Sequence, residues 1–343
     1  METLLNIENL RVSYHTWRGD VQSVRGVSLD IGREETVALV GESGCGKSVT
    51  GKSILRLIQA PGEILPDSHI YFDGQDVLAM DKKALRSYRG GQAAIVFQDA
   101  LAALNPTMKV GRQIMENLLY HRNMTKKEAR AEALQLLKAV GIPDAEKRLD
   151  QYPHEFSGGM RQRVMIAIAF ACQPKLLIAD EPTTALDVTI QAQIIRLLKQ
   201  LQEENHTSIL MITHDLGVVA NIARRIYVMY SGIIVERGSS DDIFYNAKHP
   251  YTRALLRAVP RLDSDSKGEL ASIEGTPPDL LAPPAGCPFA ARCSYAMGIC
   301  RKQMPDVTQF EEGHQAACWL HHPLAPVTDI SRPAGSADVQ EVS

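Results

Sequence analysis

An α/β fold built on a parallel sheet, with phosphate-binding loops along one edge, is what the sequence predicts. Three observations lead there. Thr36–Val40 is a compact apolar run that passes into a glycine-rich turn from Gly41 and then into a helical stretch. A second apolar run, 176–179, ends in the acids Asp180 and Glu181. Elsewhere, apolar runs of strand length alternate with helical periodicity, as they do when parallel strands are joined by crossover helices. In such sheets ligands bind beyond the carboxyl ends of the strands.

Taken in order, residues from about 1 to 35 read as short strand-like pieces with a polar break at 15–20. Residues 93–97 form a further buried strand. From Gln98 to about Cys172 the pattern is helical: Thr125 and Glu128 have capping-box spacing, Leu134 and Leu137 share a face, and Gly141 with Pro143 ends that helix. A helix starting near Asp187 carries Ile194, Leu197, Leu198 and Leu201 on its inner face, ahead of a strand at Ser208–Thr213. Arg225–Tyr230 and 233–237, parted by Ser231-Gly232, read as a hairpin. After about Pro260 the texture changes to a polar stretch (262–268), a proline-rich stretch (276–284) and then cysteines. These breaks divide the chain into a main domain over 1–260, an extension over 261–323 and a disordered tail over 324–343.

A chain of 343 residues suits one large domain and a smaller one. The net charge is −3 with both signs mixed, so no basic field of the kind nucleic acid selects is present, and no nucleic-acid partner is expected. The apolar run 164–172 is nine residues long, against about 20 for a spanning helix. No basic segment followed by an apolar stretch opens the sequence, so no secretory signal is read. A soluble cytosolic protein is expected, with any membrane role exercised through a partner.

Gly41-Glu42-Ser43-Gly44-Cys45-Gly46-Lys47-Ser48 fits G-x-x-x-x-G-K-[ST] at every fixed position. The glycines let backbone N–H groups curl around phosphate oxygens, and the following helix points its positive end at the same charge. Lys47 is expected to reach the β- and γ-phosphates, and the Ser48 hydroxyl to ligate Mg²⁺. Asp180 would hold the same ion through its water shell. Glu181 is placed to polarise an attacking water as general base. Cys45 admits two readings: helix-terminus amides and Lys47 could lower its pKa and make it reactive, or it is a small buried filler.

Phe156-Ser157-Gly158-Gly159-Met160-Arg161-Gln162, just before a helix, resembles the signature sequence of ABC ATPases, with Met160 where the commonest form has Gln. Around it, Gln98 resembles the Q-loop glutamine, Ala185-Leu186-Asp187 the D-loop, and His214 the switch histidine. Tyr14 stands where the family sets an aromatic ring against adenine, with Trp17 as a rival. Alone, Asp187 reads as a helix N-cap and Gln98 or His214 as structural; the ordered set over about 1–240 is what carries the likeness. The resemblance implies a P-loop (RecA-like) ABC nucleotide-binding domain with an antiparallel β subdomain and a helical subdomain at about 98–172. It implies an ATP site of Tyr14, Gly41, Ser43, Gly44, Cys45, Gly46, Lys47, Ser48 and Val49, Mg²⁺ held by Ser48, Gln98 and Asp180, and catalysis by Glu181, His214 and Gln98. Ser157, Gly158 and Gly159 would serve the ATP of a partner subunit in a head-to-tail dimer.

His249-Pro250-Tyr251-Thr252, the helix-like 253–259, Gly286-Cys287-Pro288 and Arg292-Cys293 resemble the extension of the oligopeptide/dipeptide permease ATPases, extending the likeness to about 1–322. Peptide import is therefore expected, with nickel or glutathione import, also found in that family, as the alternative. So are two permease subunits, a second and non-identical ATPase subunit, an extracellular or periplasmic peptide-binding protein, and a peripheral location on the cytoplasmic face of the plasma membrane. A soluble ABC ATPase acting on DNA or ribosomes would usually carry two cassettes, a coiled-coil insertion or a basic arm; an exporter often carries fused spans; this sequence has none of these. Cys287, Cys293, Cys300 and Cys318 are spaced C-x5-C-x6-C-x17-C, without the close pairs usual at structural zinc. Some family members carry a [4Fe–4S] cluster in this extension, so a cluster is expected here, with Zn²⁺ or free thiols as alternatives and His314, His321 and His322 as substitute ligands.

Overall fold

The computed structural model describes residues 2–184, 186–258, 273–311 and 313–326. Pro260, where the boundary is expected, the polar stretch at 262–268, the tail from 327 onward and Ala185 lie outside them.

Thirteen strands in the described residues form two sheets. The polar break at 15–20 is a hairpin turn between two strands much longer than expected, β1 (Thr3–Thr16) and β2 (Gly19–Gly32), which pair antiparallel down to Thr16↔Gly19. Their length comes from alternation: Leu5, Ile7, Leu10 and Val12 on β1 meet Val24, Val27, Leu29 and Ile31 on β2 in one buried core. β4 (Gly62–Ile64), β5 (His69–Phe72) and β6 (Gln75–Asp76) complete this antiparallel sheet, β4 and β5 both on β1.

The second sheet runs β12-β13-β11-β10-β3-β9-β8-β7. Its parallel centre comprises β3 (Thr36–Val40), β7 (Ala93–Val96), β8 (Leu176–Asp180), β9 (Ser208–Thr213) and β10 (Arg225–Tyr230). These strands are apolar on both faces because two cores flank them. Val37, Leu39, Leu176 and Ile178 enter the core shared with the antiparallel sheet, while Ala38, Val40, Leu177 and Ala179 enter a second core on the helical side. β11 (Ile233–Ser239) returns from β10 through Ser231 and Gly232, both at positive φ, as the hairpin reading requires. The edge pair β12 (Val307–Gln309) and β13 (Gln315–Ala317) comes from the C-terminal extension and adds to β11, so the extension continues the main sheet.

Helix α1 (Lys47–Ile54) follows the glycine-rich loop, and α2 (Lys82–Tyr88) precedes β7. The stretch at 98–172 is helical as expected: α3 (Ala100–Ala103), α4 (Val110–His121), α5 (Lys126–Ala139), α6 (Ala145–Arg148) and α7 (Gly158–Phe170). Thr125 and Glu128 make the capping box, and Leu137 is buried with Leu134 partly so. α8 (Val188–Asn205) buries Ile194, Leu197, Leu198 and Leu201, the face read from its periodicity. α9 (Leu216–Val219), α10 (Ser240–Asn246) and α11 (Pro250–Arg257) complete the set. No described helix is long and apolar enough to cross a membrane.

Candidate nucleotide site

Four of the parallel strands deliver their carboxyl ends to one place. β3 leads into the Gly41 loop, β8 ends in Asp180 and Glu181, β7 leads to Gln98, and β9 leads to His214. The loop must be glycine-rich at two points for lack of room. A Cβ on Gly41 would lie 2.1 Å from the Met229 carbonyl oxygen, and one on Gly46, at φ 106°, would lie 2.3 Å from that of Ser23. Gly232 N–H donates to the Cys45 carbonyl at 3.0 Å and ties the loop to the β10–β11 turn.

The Lys47 side chain, 4% exposed, curls back so that Nζ donates to the carbonyls of Gly41 (2.8 Å) and Glu42 (3.0 Å), with Glu181 Oε1 at 3.9 Å. Ser48 Oγ donates to Asp180 Oδ1 at 2.7 Å. Burial pushes the Asp180 carboxyl up, and the Ser48 hydrogen bond acts against that push. Glu181, at φ 47°, is turned sharply off the strand with its N–H on the Ile212 carbonyl. Its carboxylate accepts from Gln98 Nε2 at 3.0 Å and Thr184 Oγ1 at 2.9 Å, and His214 Nδ1 stands 3.3 Å away. The residues scattered from 41 to 214 thus become one cluster of a lysine, a hydroxyl, two carboxylates, an amide and an imidazole. Thr184 is a member that the sequence reading missed; a threonine three residues after an acid carries no signal of its own.

Ser157 caps α7 by accepting from Met160 N–H, and Gly158 and Gly159 open that helix at the surface. A Cβ on Gly159 would meet Ile190 of α8 at 2.9 Å, so the signature turn rests on the helix that Asp187 caps through Ile190 N–H. Gln98, Gly158, Arg161, Thr184 and Leu186 line one open cleft. Tyr14 pairs with Gly62 across β1 and β4, its ring 2.6 Å from where a Cβ on Gly62 would lie, while Trp17 is exposed under Arg18. Val49 is half-buried against the core beneath the loop.

At Cys45 the structure favours one of the two readings, and the expected metal finds no support. Cys45 is buried, and burial pushes its thiol up despite Lys47 nearby, so it is a packed filler and not an activated thiol. The metal reading of the extension also fails to find support. Cys287, Cys293, Cys300 and Cys318 do become neighbours whose charges would oppose one another. Yet among the described residues no group of three or more His, Cys, Asp or Glu is arranged to hold a metal ion. Burial instead pushes the thiols of Cys287, Cys293 and Cys318 up, Cys287 to about 11 and Cys318 to about 12. The expected substitute ligands are engaged elsewhere: His314 with Glu236 at 2.9 Å, His321 with the Lys248 carbonyl at 2.9 Å, and His322 accepting from Leu324 N–H. Neither the iron–sulfur cluster nor zinc is supported by this geometry.

A parallel sheet with this loop at its centre, an antiparallel sheet at its side and a capped signature turn on a helical layer define an ABC-type ATPase cassette. The ABC transporter family model matches residues 24–184, and the model for the oligopeptide/dipeptide transporter C-terminal region matches 235–300. The ATP-binding cassette MJ0796, solved as a dimer bound to ADP and Pi, is 28% identical with a TM-score of 0.62, over 69% of this chain and 99% of that one. The dipeptide transport ATP-binding protein DppD of Bacillus subtilis is 53% identical over 97% of this chain and 99% of its own length. The oligopeptide transport ATP-binding protein OppD of Escherichia coli is 49% identical over 93% of each chain. The chain belongs to the ABC transporter ATPases of the oligopeptide/dipeptide type.

Proposed function

We propose that this chain hydrolyses ATP to power the import of peptides through an ABC permease. The observation that carries the proposal is the Glu181 carboxylate, held by Gln98 and Thr184 beside His214, Lys47 and the Ser48–Asp180 pair. The loop from Gly41 to Val49 wraps the phosphates, with Tyr14 against the adenine. Lys47 exchanges its two carbonyl partners for the β- and γ-phosphates. The adjacent oxygens of Ser48 and Asp180, 2.7 Å apart, suit a hard divalent cation, and with Gln98 they would hold Mg²⁺, which supplies charge neutralisation at the phosphates. Glu181 accepts the proton of the attacking water, and His214 orients the γ-phosphate region.

Ser157 and Gly158 are exposed and Gly159 partly so; the three close over the ATP of a second, related but non-identical ATPase subunit, while Asp187 lies at the seam between the two. ATP then holds the dimer shut and hydrolysis lets it open, a two-state switch set by the γ-phosphate. Gln98 links that switch to the helical layer at 98–172, which grips two permease subunits. A substrate-binding protein delivers the peptide. The subunit works as a peripheral component at the cytoplasmic face of the membrane. We place the division between this cassette and the extension over 261–323 at residue 260. The peptide substrate rests on the relatives' stated roles and on the matched C-terminal region. The decisive experiment reconstitutes the chain with its permease and partner ATPase in vesicles. ATP-dependent uptake of a labelled di- or oligopeptide is expected; ATP turnover that moves nickel or glutathione and no peptide would overturn the substrate.

A further inference from the structure

The Gly41 loop is gripped from outside by the C-terminal extension. We infer that Arg292 is a positioning residue of the nucleotide site: it takes up the charge of Glu42, so the extension is an integral part of that site. This rests on the ATP-binding reading of the loop and extends it to the residues that shape the loop.

Glu42 is the second residue of the loop and the one carboxylate within it. Its oxygens receive a two-pronged contact from Arg292, Nη1 to Oε2 at 2.6 Å and Nη2 to Oε1 at 2.9 Å. The remaining guanidinium donors are also used. Nη1 also donates to the Tyr230 hydroxyl at 3.2 Å, Nη2 to the Ile273 carbonyl at 2.8 Å, and Nε to the Glu274 carbonyl at 2.9 Å. The Arg292 side chain is 4% exposed, so this is a built arrangement and not a surface ion pair. A second contact, from α11 near the end of the cassette, acts on the same residue: Glu42 N–H donates to the Tyr251 hydroxyl at 2.8 Å. Phe289 packs against both Tyr230 and Tyr251 at 5.3 Å, bracing the segment that brings Arg292 to the loop.

A carboxylate in a loop that surrounds a polyanion opposes binding unless it is neutralised and drawn aside. The Arg292 fork does both, and it holds the Glu42 carbonyl where Lys47 and Cys45 N–H meet it. With Arg292 lost, the Glu42 charge stays half-buried, unpaired and free to turn toward the phosphates. The defect therefore has a signature that general loosening lacks: removing the Glu42 charge as well should cure it.

The test is a double-mutant cycle on the full chain, read as ATP affinity by calorimetry. Arg292→Met should weaken ATP binding by about tenfold or more, and less at high salt. Glu42→Gln alone should change affinity by less than about threefold, and the double variant should match Glu42→Gln. Arg292→Lys, which keeps the charge without the fork, should fall between wild type and Arg292→Met. A double variant as weak as Arg292→Met, or Arg292→Met and Arg292→Lys both binding like wild type, would overturn the inference. Lys47→Ala separates the two levels. If it abolishes binding while the Arg292 variants do not, only the positioning role falls; if Lys47→Ala binds ATP normally, the nucleotide reading of the loop falls.

Discussion

Glu181 is where geometry and chemistry meet most closely. Its carboxylate is 9% exposed, with an amide, a hydroxyl and an imidazole around it and Lys47 Nζ at 3.9 Å. Glu181→Gln keeps the volume and most hydrogen bonds but removes the proton acceptor. Hydrolysis should fall by about 100-fold or more while ATP binding stays within a few-fold, checked by single-turnover assay beside calorimetry. Near-normal turnover would remove Glu181 from the proton transfer. Cys45, in the same loop, should behave oppositely to a reactive thiol. Being buried with its pKa raised, it should resist alkylation at neutral pH with or without ATP and react only on unfolding, as mass spectrometry would show. Fast labelling suppressed by ATP would restore the activated reading.

Among the elements, α5 and α11 offer tests of opposite character. The capping box of α5 is exposed and local: Thr125 Oγ1 accepts from Glu128 N–H, and Glu128 Oε2 accepts from Thr125 N–H at 2.8 Å. Thr125→Ala should cost about 1 kcal/mol of stability by denaturant titration and leave ATP binding alone. α11 is capped by a buried imidazole, His249, whose Nδ1 accepts from Tyr251 N–H at 3.0 Å. Burial pushes His249 down to about 4 from 6.5; Glu236 opposes that shift and His321 adds to it. Between those values the unfolded chain binds a proton that the folded chain refuses. The contribution is therefore whole above pH 6.5 and is lost as pH falls through 4, on the order of 3 kcal/mol when complete. Urea midpoints at pH 7.5 and 5 should differ more for wild type than for His249→Asn, which keeps a capping acceptor without the titration. Equal shifts in both would clear His249 of this role.

At the scale of the molecule, the signature turn faces outward, with Ser157 and Gly158 exposed, while the Glu181 carboxylate is inside. A subunit acting alone would have no second signature to close its own site. The isolated chain should therefore turn over ATP slowly, and the rate should climb when the partner ATPase and permease are added; full turnover by a monomer at high dilution would sink the shared site. The sequence by itself determined what depends on neighbouring residues. The Gly41–Ser48 loop was legible because only glycine fits against the Met229 and Ser23 carbonyls. The Thr125 box, the inner face of α8 and the Ser231-Gly232 turn were legible because caps, helical period and positive φ are local demands. What only the tertiary structure decided depends on pairs far apart in the chain. The extension's β12 and β13 join the main sheet, burial raises the Cys287, Cys293 and Cys318 thiols, and Thr184 supports Glu181. Arg292 reaches Glu42 across 250 residues. No periodicity or spacing encodes such contacts, because side-chain pairing and desolvation arise only once the two cores have closed around the strands.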